Sequence, residues 1–295
     1  MNDSNDASLP RKLLLATDLS ARCDRPLERA RQLAAQWQAS LDLLTVREGP
    51  QVPAEVVNWL AGSDASTEAE FAARRDVARD FAGCGFPVSL HFADGDVADA
   101  VQQAAARMDS ALVIAGAARI NTLGEMFLGS TVERLARTLG RPLLVVRQRA
   151  RAPYQRILVP TDFSAAARLA LQTAARLFPE AQLIVFHAHA PGINALAEGA
   201  PAGNGGLRLQ CEQFVDACGL PPQLRARIVI DSAPGAAEGL VTRYVREHAV
   251  DLAVLGLHGQ AGVLRMLLGS KGEQLLRGLD CDTLLVCTGD ADADS

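Results

Sequence analysis

LLLATDLS at residues 13–20 returns as ILVPTDFS at residues 157–164, and this repetition decides the fold. Each stretch is a run of Leu, Ile, Val and Ala without polar alternation that ends in Thr-Asp and then Ser. Unbroken apolar strands of this kind belong to parallel sheets covered by helices on both faces. The offset between the two stretches is 144. Further on, Gly95 aligns with Gly235, Gly116 with Gly256, Met126 with Met266, Gly129 with Gly269, Ser130 with Ser270 and Glu133 with Glu273, all at an offset of 140. The first copy therefore holds four extra residues, which the Gly, Pro, Ser and Asp of residues 49–66 assign to a loop there.

Working outward, short apolar runs alternate with helical patterns in both copies. The expected strands are 12–17, 40–46, 87–92, 111–116 and 143–147, then 156–161, 182–188, 225–230, 251–256 and 283–287. The fold class is α/β: two tandem doubly wound, Rossmann-like domains, each with a five-stranded parallel sheet. The domains are residues 1–150 and 151–295, and a chain of 295 residues is long enough for both. Ser20 and Ser164 are the expected N-caps of the first helices. Leu27, Ala30 and Leu33, matched by Leu171, Ala174 and Leu177, supply the buried stripe. RQRARAPYQR (147–156) reads as a connection with solvated arginines, and GDADADS as a disordered tail. PLLVVR (142–147) and DTLLVC (282–287) are apolar edge strands, which invite pairing of the two copies within one chain as a pseudo-dimer, and a homodimer beyond that.

The net charge of −5 and pI near 5.6 argue against nucleic acid and anionic membrane as partners. MNDSNDASLP has neither the basic start nor the apolar run of a leader, and no stretch is long enough to span a bilayer. Six cysteines without a CxxC pair fit reduced thiols in a cytoplasm, each a small buried hydrophobe, with Cys211 and Cys218 on one packed face. No metal site is expected.

Ligands of a doubly wound sheet bind beyond the carboxyl ends of its strands. Thr17-Asp18 and Thr161-Asp162 end the first strand of each copy, while Gly116 and Gly256 end the fourth. In the second copy Gly256-Leu-His258-Gly259 is followed by nine residues and then Gly269-Ser270-Lys271 at a helix start. Glycine backbone can approach phosphate oxygens closely, and a helix start adds unpaired N–H donors. Asp162 can accept hydrogen bonds from an adenine amino group or a ribose hydroxyl. Taken singly, the aspartate reads as a turn residue and the glycines as turns.

Together, TDFS, GxxG, nine residues and GS resemble the nucleotide-binding signature of the universal stress protein family, over nearly the whole chain. The resemblance implies that Pro160, Thr161, Asp162 and Ala188 line the adenosine end, with Gly256, His258, Gly259, Gly269, Ser270 and Lys271 near the phosphates. It implies ATP or AMP as ligand, with or without Mg²⁺. The first copy reads Gly116-Ala-Ala-Arg119 before Gly129-Ser130-Thr131, so a weaker site is expected around Thr17, Asp18, Val46, Gly116, Arg119, Gly129, Ser130 and Thr131. Arg119 either crowds the phosphate path or binds phosphate through its guanidinium.

The resulting expectation is a cytoplasmic stress-response regulator or sensor that binds an adenine nucleotide mainly in its second copy and acts on an unidentified protein partner. Two alternatives are a slow ATPase and a scaffold for a different small ligand. No catalytic triad is evident around His187, His189 or His258, and neither a Walker A motif nor GxGxxG is present.

Overall fold

A computed structural model describes residues 9–20, 23–47, 65–117, 129–190, 205–257, 276 and 278–287. The chain packs as two compact units, one spanning Pro10–Gly116 and the other comprising mainly Ala117–Ser295. In the first, strands β1 (Lys12–Ala16), β2 (Ser40–Arg47), β3 (Val88–Asp94) and β4 (Leu112–Gly116) form a parallel sheet ordered β3-β2-β1-β4. Helices α1 (Asp24–Trp37), α2 (Ala65–Asp80) and α3 (Val97–Arg107) connect them. Leu13, Leu14 and Leu15 are consecutive and fully buried, which only a strand covered on both faces permits.

The second unit contains α4 (Ser130–Thr138), β5 (Leu143–Val146), β6 (Arg156–Pro160), α5 (Ala165–Leu177), β7 (Gln182–His189), α6 (Gly205–Asp216), α7 (Pro222–Arg225), β8 (Val229–Pro234), α8 (Ala237–Glu247), β9 (Leu252–Leu257) and β10 (Asp282–Cys287). Its strand order is β5-β10-β9-β6-β7-β8. The five strands from β10 to β8 are parallel. From β6 the chain winds outward through β7 to β8, then returns to β9 on the other side, so the order reverses between β6 and β9. The two fifth strands pair antiparallel, Val145 opposite Thr283 and Leu143 opposite Leu285. Leu143, Leu144, Leu284 and Leu285 are buried there, each side chain contributing on the order of 2 kcal/mol.

Several expectations need correction. Register places Ser40 opposite Lys12 and Gln182 opposite Arg156, an offset of 142, so two of the four extra residues lie between β1 and β2 rather than near 49–66. They accompany a longer helix: α1 runs to Trp37 before Gln38 closes it in the left-handed conformation, at φ 50°. The eighth strand lies at 229–234, not 225–230, because Pro222 sits at the first position of a short helix whose Leu224 is buried. Leu27 is only half-buried, although Ala30 and Leu33 are buried as expected.

Arg147 is likewise not solvated: it is 2% exposed. Its guanidinium donates to Thr283 Oγ1 (3.0 Å) and the Leu276 carbonyl (2.8 Å). Burial pulls its pKa down, opposed by the nearby Cys281, Asp282 and Asp280. Asp282 accepts the Arg147 amide (2.7 Å), the Gln148 amide (2.8 Å) and the Tyr154 hydroxyl (2.6 Å). The start of the connection is thereby fixed to β10 by a buried polar cluster.

Candidate functional site

The two strand-one corners share their first four residues of geometry. In the second copy the Thr161 amide donates to the Phe186 carbonyl at 2.8 Å, extending the β6–β7 ladder by one step. Thr161 Oγ1 then accepts the Phe163 amide (2.9 Å), and Asp162 Oδ1 accepts the Ser164 amide (3.0 Å). In the first copy Thr17, Leu19, Asp18 and Ser20 make the same bonds at 3.0 and 2.9 Å. Leu19 and Phe163 both stand in the left-handed region, at φ 56° and 66°, a strain of about 1 kcal/mol for a residue with a side chain. Packing offsets it at Phe163, whose ring lies 4.4 Å from the His187 ring and 5.7 Å from Phe214, centroid to centroid. The Nδ1–H of His187 donates to the Thr161 carbonyl (2.8 Å), so His187 is a buttress of the turn that its sequence position did not reveal.

Register gathers the adenosine-end candidates. Pro160 stands opposite Phe186, so Asp162 is level with Ala188 at the carboxyl end of the sheet. Ile157 stands opposite Leu252, which makes Gly256 level with Thr161 across the point where strand order reverses. The first copy repeats this, with Ala16 opposite Leu44 and Ala115, making Asp18 level with Val46 and Thr17 with Gly116. Gly129 precedes α4, and Ser130 and Thr131 are its first residues, in the second unit. Arg119, His258, Gly259, Gly269, Ser270 and Lys271 lie outside the described residues.

Beyond the serines the corners diverge. Ser164 caps α5: its Oγ accepts the Ala167 amide at 3.2 Å. A Cβ on Gly256 would stand 2.0 Å from the Ala166 carbonyl oxygen, so the absent side chain is what lets the first turn of α5 press against β9. In the first copy α1 begins at Asp24 with Cys23, not Ser20, as N-cap. The cause is Pro26, which aligns with Ala170. A helix starting at the level of Ser20 would need an amide hydrogen at Pro26, where there is none, and its ring would clash with the preceding turn. Starting at Asp24, the helix takes Pro26 into its first turn, where an N–H has no intrahelical partner anyway. Among the described residues, a Cβ on Gly116 would meet only the Pro26 side chain, at an ordinary 3.4 Å.

The carboxylates feel this difference. Among the described residues Asp162 accepts the Ser164 amide and no side-chain donor. Asp18 accepts the Ser20 amide (2.9 Å) and also the Cys23 thiol (3.1 Å). Burial pushes the Asp18 carboxyl up, but side-chain and backbone hydrogen bonds at the turn together outweigh it and hold it below the usual carboxylate value. Beside Val46, exposed Arg47 forks onto Asp94 (2.7 Å) and reaches Glu70 (2.9 Å).

No curated protein matches the sequence. Among solved structures, a universal stress protein from Archaeoglobus fulgidus DSM 4304 has a TM-score of 0.74 at 19% identity, covering 95% of this chain and 99% of that one. A functionally unknown protein from Pseudomonas aeruginosa PAO1 has a TM-score of 0.66 at 20% identity, covering 97% and 96%. At these identities the likeness is one of fold. The universal stress protein family model matches twice, over residues 10–147 and 153–286, once for each repeat of the strand, turn and glycine pattern. The chain belongs to the universal stress protein family, as a tandem of two copies.

Proposed function

We propose that the chain is a stress-response regulator that binds an adenine nucleotide, ATP or AMP, at its second copy. The observation that carries this reading is the Asp162 carboxylate: exposed, beyond the carboxyl end of β6, beside the reversal of strand order, and with no side-chain donor among the described residues. A carboxylate in this state has acceptor capacity for an adenine amino group or ribose hydroxyls, and charge-assisted hydrogen bonds are the stronger kind. Pro160, Thr161 and Ala188 border it at the strand ends, and Gly256 leaves the backbone there without a side chain. Gly259, Gly269, Ser270 and Lys271 supply the phosphate donors in this reading. The protein acts in the cytoplasm, and the nucleotide shifts its affinity for a protein partner by binding one of two states more tightly. Isothermal titration of the full chain with ATP and with AMP tests the reading. One site per chain is expected, weakened at least about tenfold by Asp162→Ala, the loss of one charged hydrogen bond. Unchanged affinity in that variant removes Asp162 from the site.

A further inference from the structure

We propose that His187 is a positioning residue of the second copy's site: its ring N–H ties down the peptide that precedes Asp162 and so fixes the carboxylate in place for the ligand. This role rests on the nucleotide reading above and belongs to a side chain that need not touch the nucleotide.

Two planar peptide groups meet at the Asp162 Cα, and both are tied. The one ahead of it carries the Thr161 carbonyl, which accepts the His187 Nδ1–H at 2.8 Å. A carbonyl can only accept, so Nδ1 of His187 carries a proton whatever the charge of the ring. The one behind it carries the Phe163 amide, which donates to Thr161 Oγ1 at 2.9 Å. With both groups held, the φ and ψ of Asp162 keep little freedom. The next residue, Phe163, stands in the left-handed region at φ 66°, and its ring lies 4.4 Å from that of His187. A strained residue of this kind persists only where its surroundings hold it.

The turn by itself does not supply the His187 tie, as the first copy shows. There the Leu19 amide repeats the bond to Thr17 Oγ1, at 3.0 Å, so the peptide behind Asp18 is held in the same way. The residue level with His187 is Thr45, because Ala16 pairs with Leu44 as Pro160 pairs with Phe186. Among the described residues the buried Thr45 hydroxyl meets no hydrogen-bond partner, and Leu19 stands where the second copy has the Phe163 ring. The histidine tie is thus found in the copy to which the nucleotide is assigned. A carboxylate already held in place gives up less freedom when a ligand arrives, which favours binding.

The test uses the full chain and two substitutions that divide the histidine. His187→Phe keeps a ring against Phe163 and removes the N–H, while His187→Asn keeps an N–H donor close to the position of Nδ1 and removes the ring. AMP affinity, read by titration calorimetry, is expected to fall about three- to tenfold in His187→Phe, the scale of one group that must be ordered on binding. Much of that loss should be recovered in His187→Asn. The loss should also vanish in the Asp162→Ala background, because a positioning residue acts only through the group it positions. Wild-type affinity in His187→Phe overturns the proposal, as does an asparagine variant no better than the phenylalanine one, or a loss that persists undiminished without the Asp162 carboxylate. Without nucleotide, hydrogen exchange of the Phe163 amide is expected to quicken at least about tenfold in His187→Phe, and unchanged exchange overturns the proposal too. If wild-type protein binds neither ATP nor AMP, the nucleotide reading fails, and the exchange of the Phe163 amide alone then decides whether His187 holds the turn.

Discussion

Residues 17–20 and 161–164 fold alike, and residues 23–26 and 167–170 do not, although both corners descend from one repeated pattern. The shared part is set by hydrogen bonds within the turn itself, Thr Oγ1 to the residue two on and Asp Oδ1 to the serine amide. The divergent part is set by one ring, that of Pro26. A proline six residues beyond the turn decides which residue caps the helix, how close a strand-end glycine must lie to it, and whether a thiol stands against the neighbouring carboxylate. The chemistry of a turn can thus be altered from outside without changing any of its residues.

The largest expected contrast is at the glycines. Gly256→Ala places a methyl group against the Ala166 carbonyl and should destabilise the second unit by about 3 kcal/mol, at the upper end for an overpacked contact. Gly116→Ala, facing the Pro26 ring at an ordinary distance, should cost less than about 1 kcal/mol. Urea unfolding of the two variants measures both, and equal losses would mean that the two strand ends meet their helices in the same way.

A smaller contrast is expected at the caps. Ser164→Ala removes the acceptor for the Ala167 amide and should cost about 1 kcal/mol, whereas Ser20→Ala, three residues ahead of the Cys23 N-cap, should cost a few tenths. The same unfolding series reads this out. A loss at Ser20 as large as that at Ser164 would show that Ser20 supports its helix after all.

The architecture was legible because it is written twice: unbroken Leu-Ile-Val strands at matching offsets give the parallel sheets, and the edge strands 142–147 and 282–287 carry the apolar signal that their pairing satisfies. What escaped depended on partners distant in sequence. Arg147 reads as a solvated linker charge until Asp282, Thr283 and Leu276, more than a hundred residues away, are folded against it. The strand at 229–234 was placed early because LRARIVI is apolar enough for a strand from its start, yet Pro222 commits its first residues to a helical turn. Of the site, Asp18 and Asp162 were found by position, and their unequal states were not. Pro26 was the available signal, since a proline six residues after a serine excludes that serine as the cap of a continuous helix.

The central claim is that the second copy holds the nucleotide site, and the most direct measurement is carboxylate carbon NMR of wild-type protein labelled at aspartate, titrated with AMP. Saturable movement of the Asp162 resonance with Asp18 unmoved is the predicted result. Equal, saturable movement of both would contradict the account.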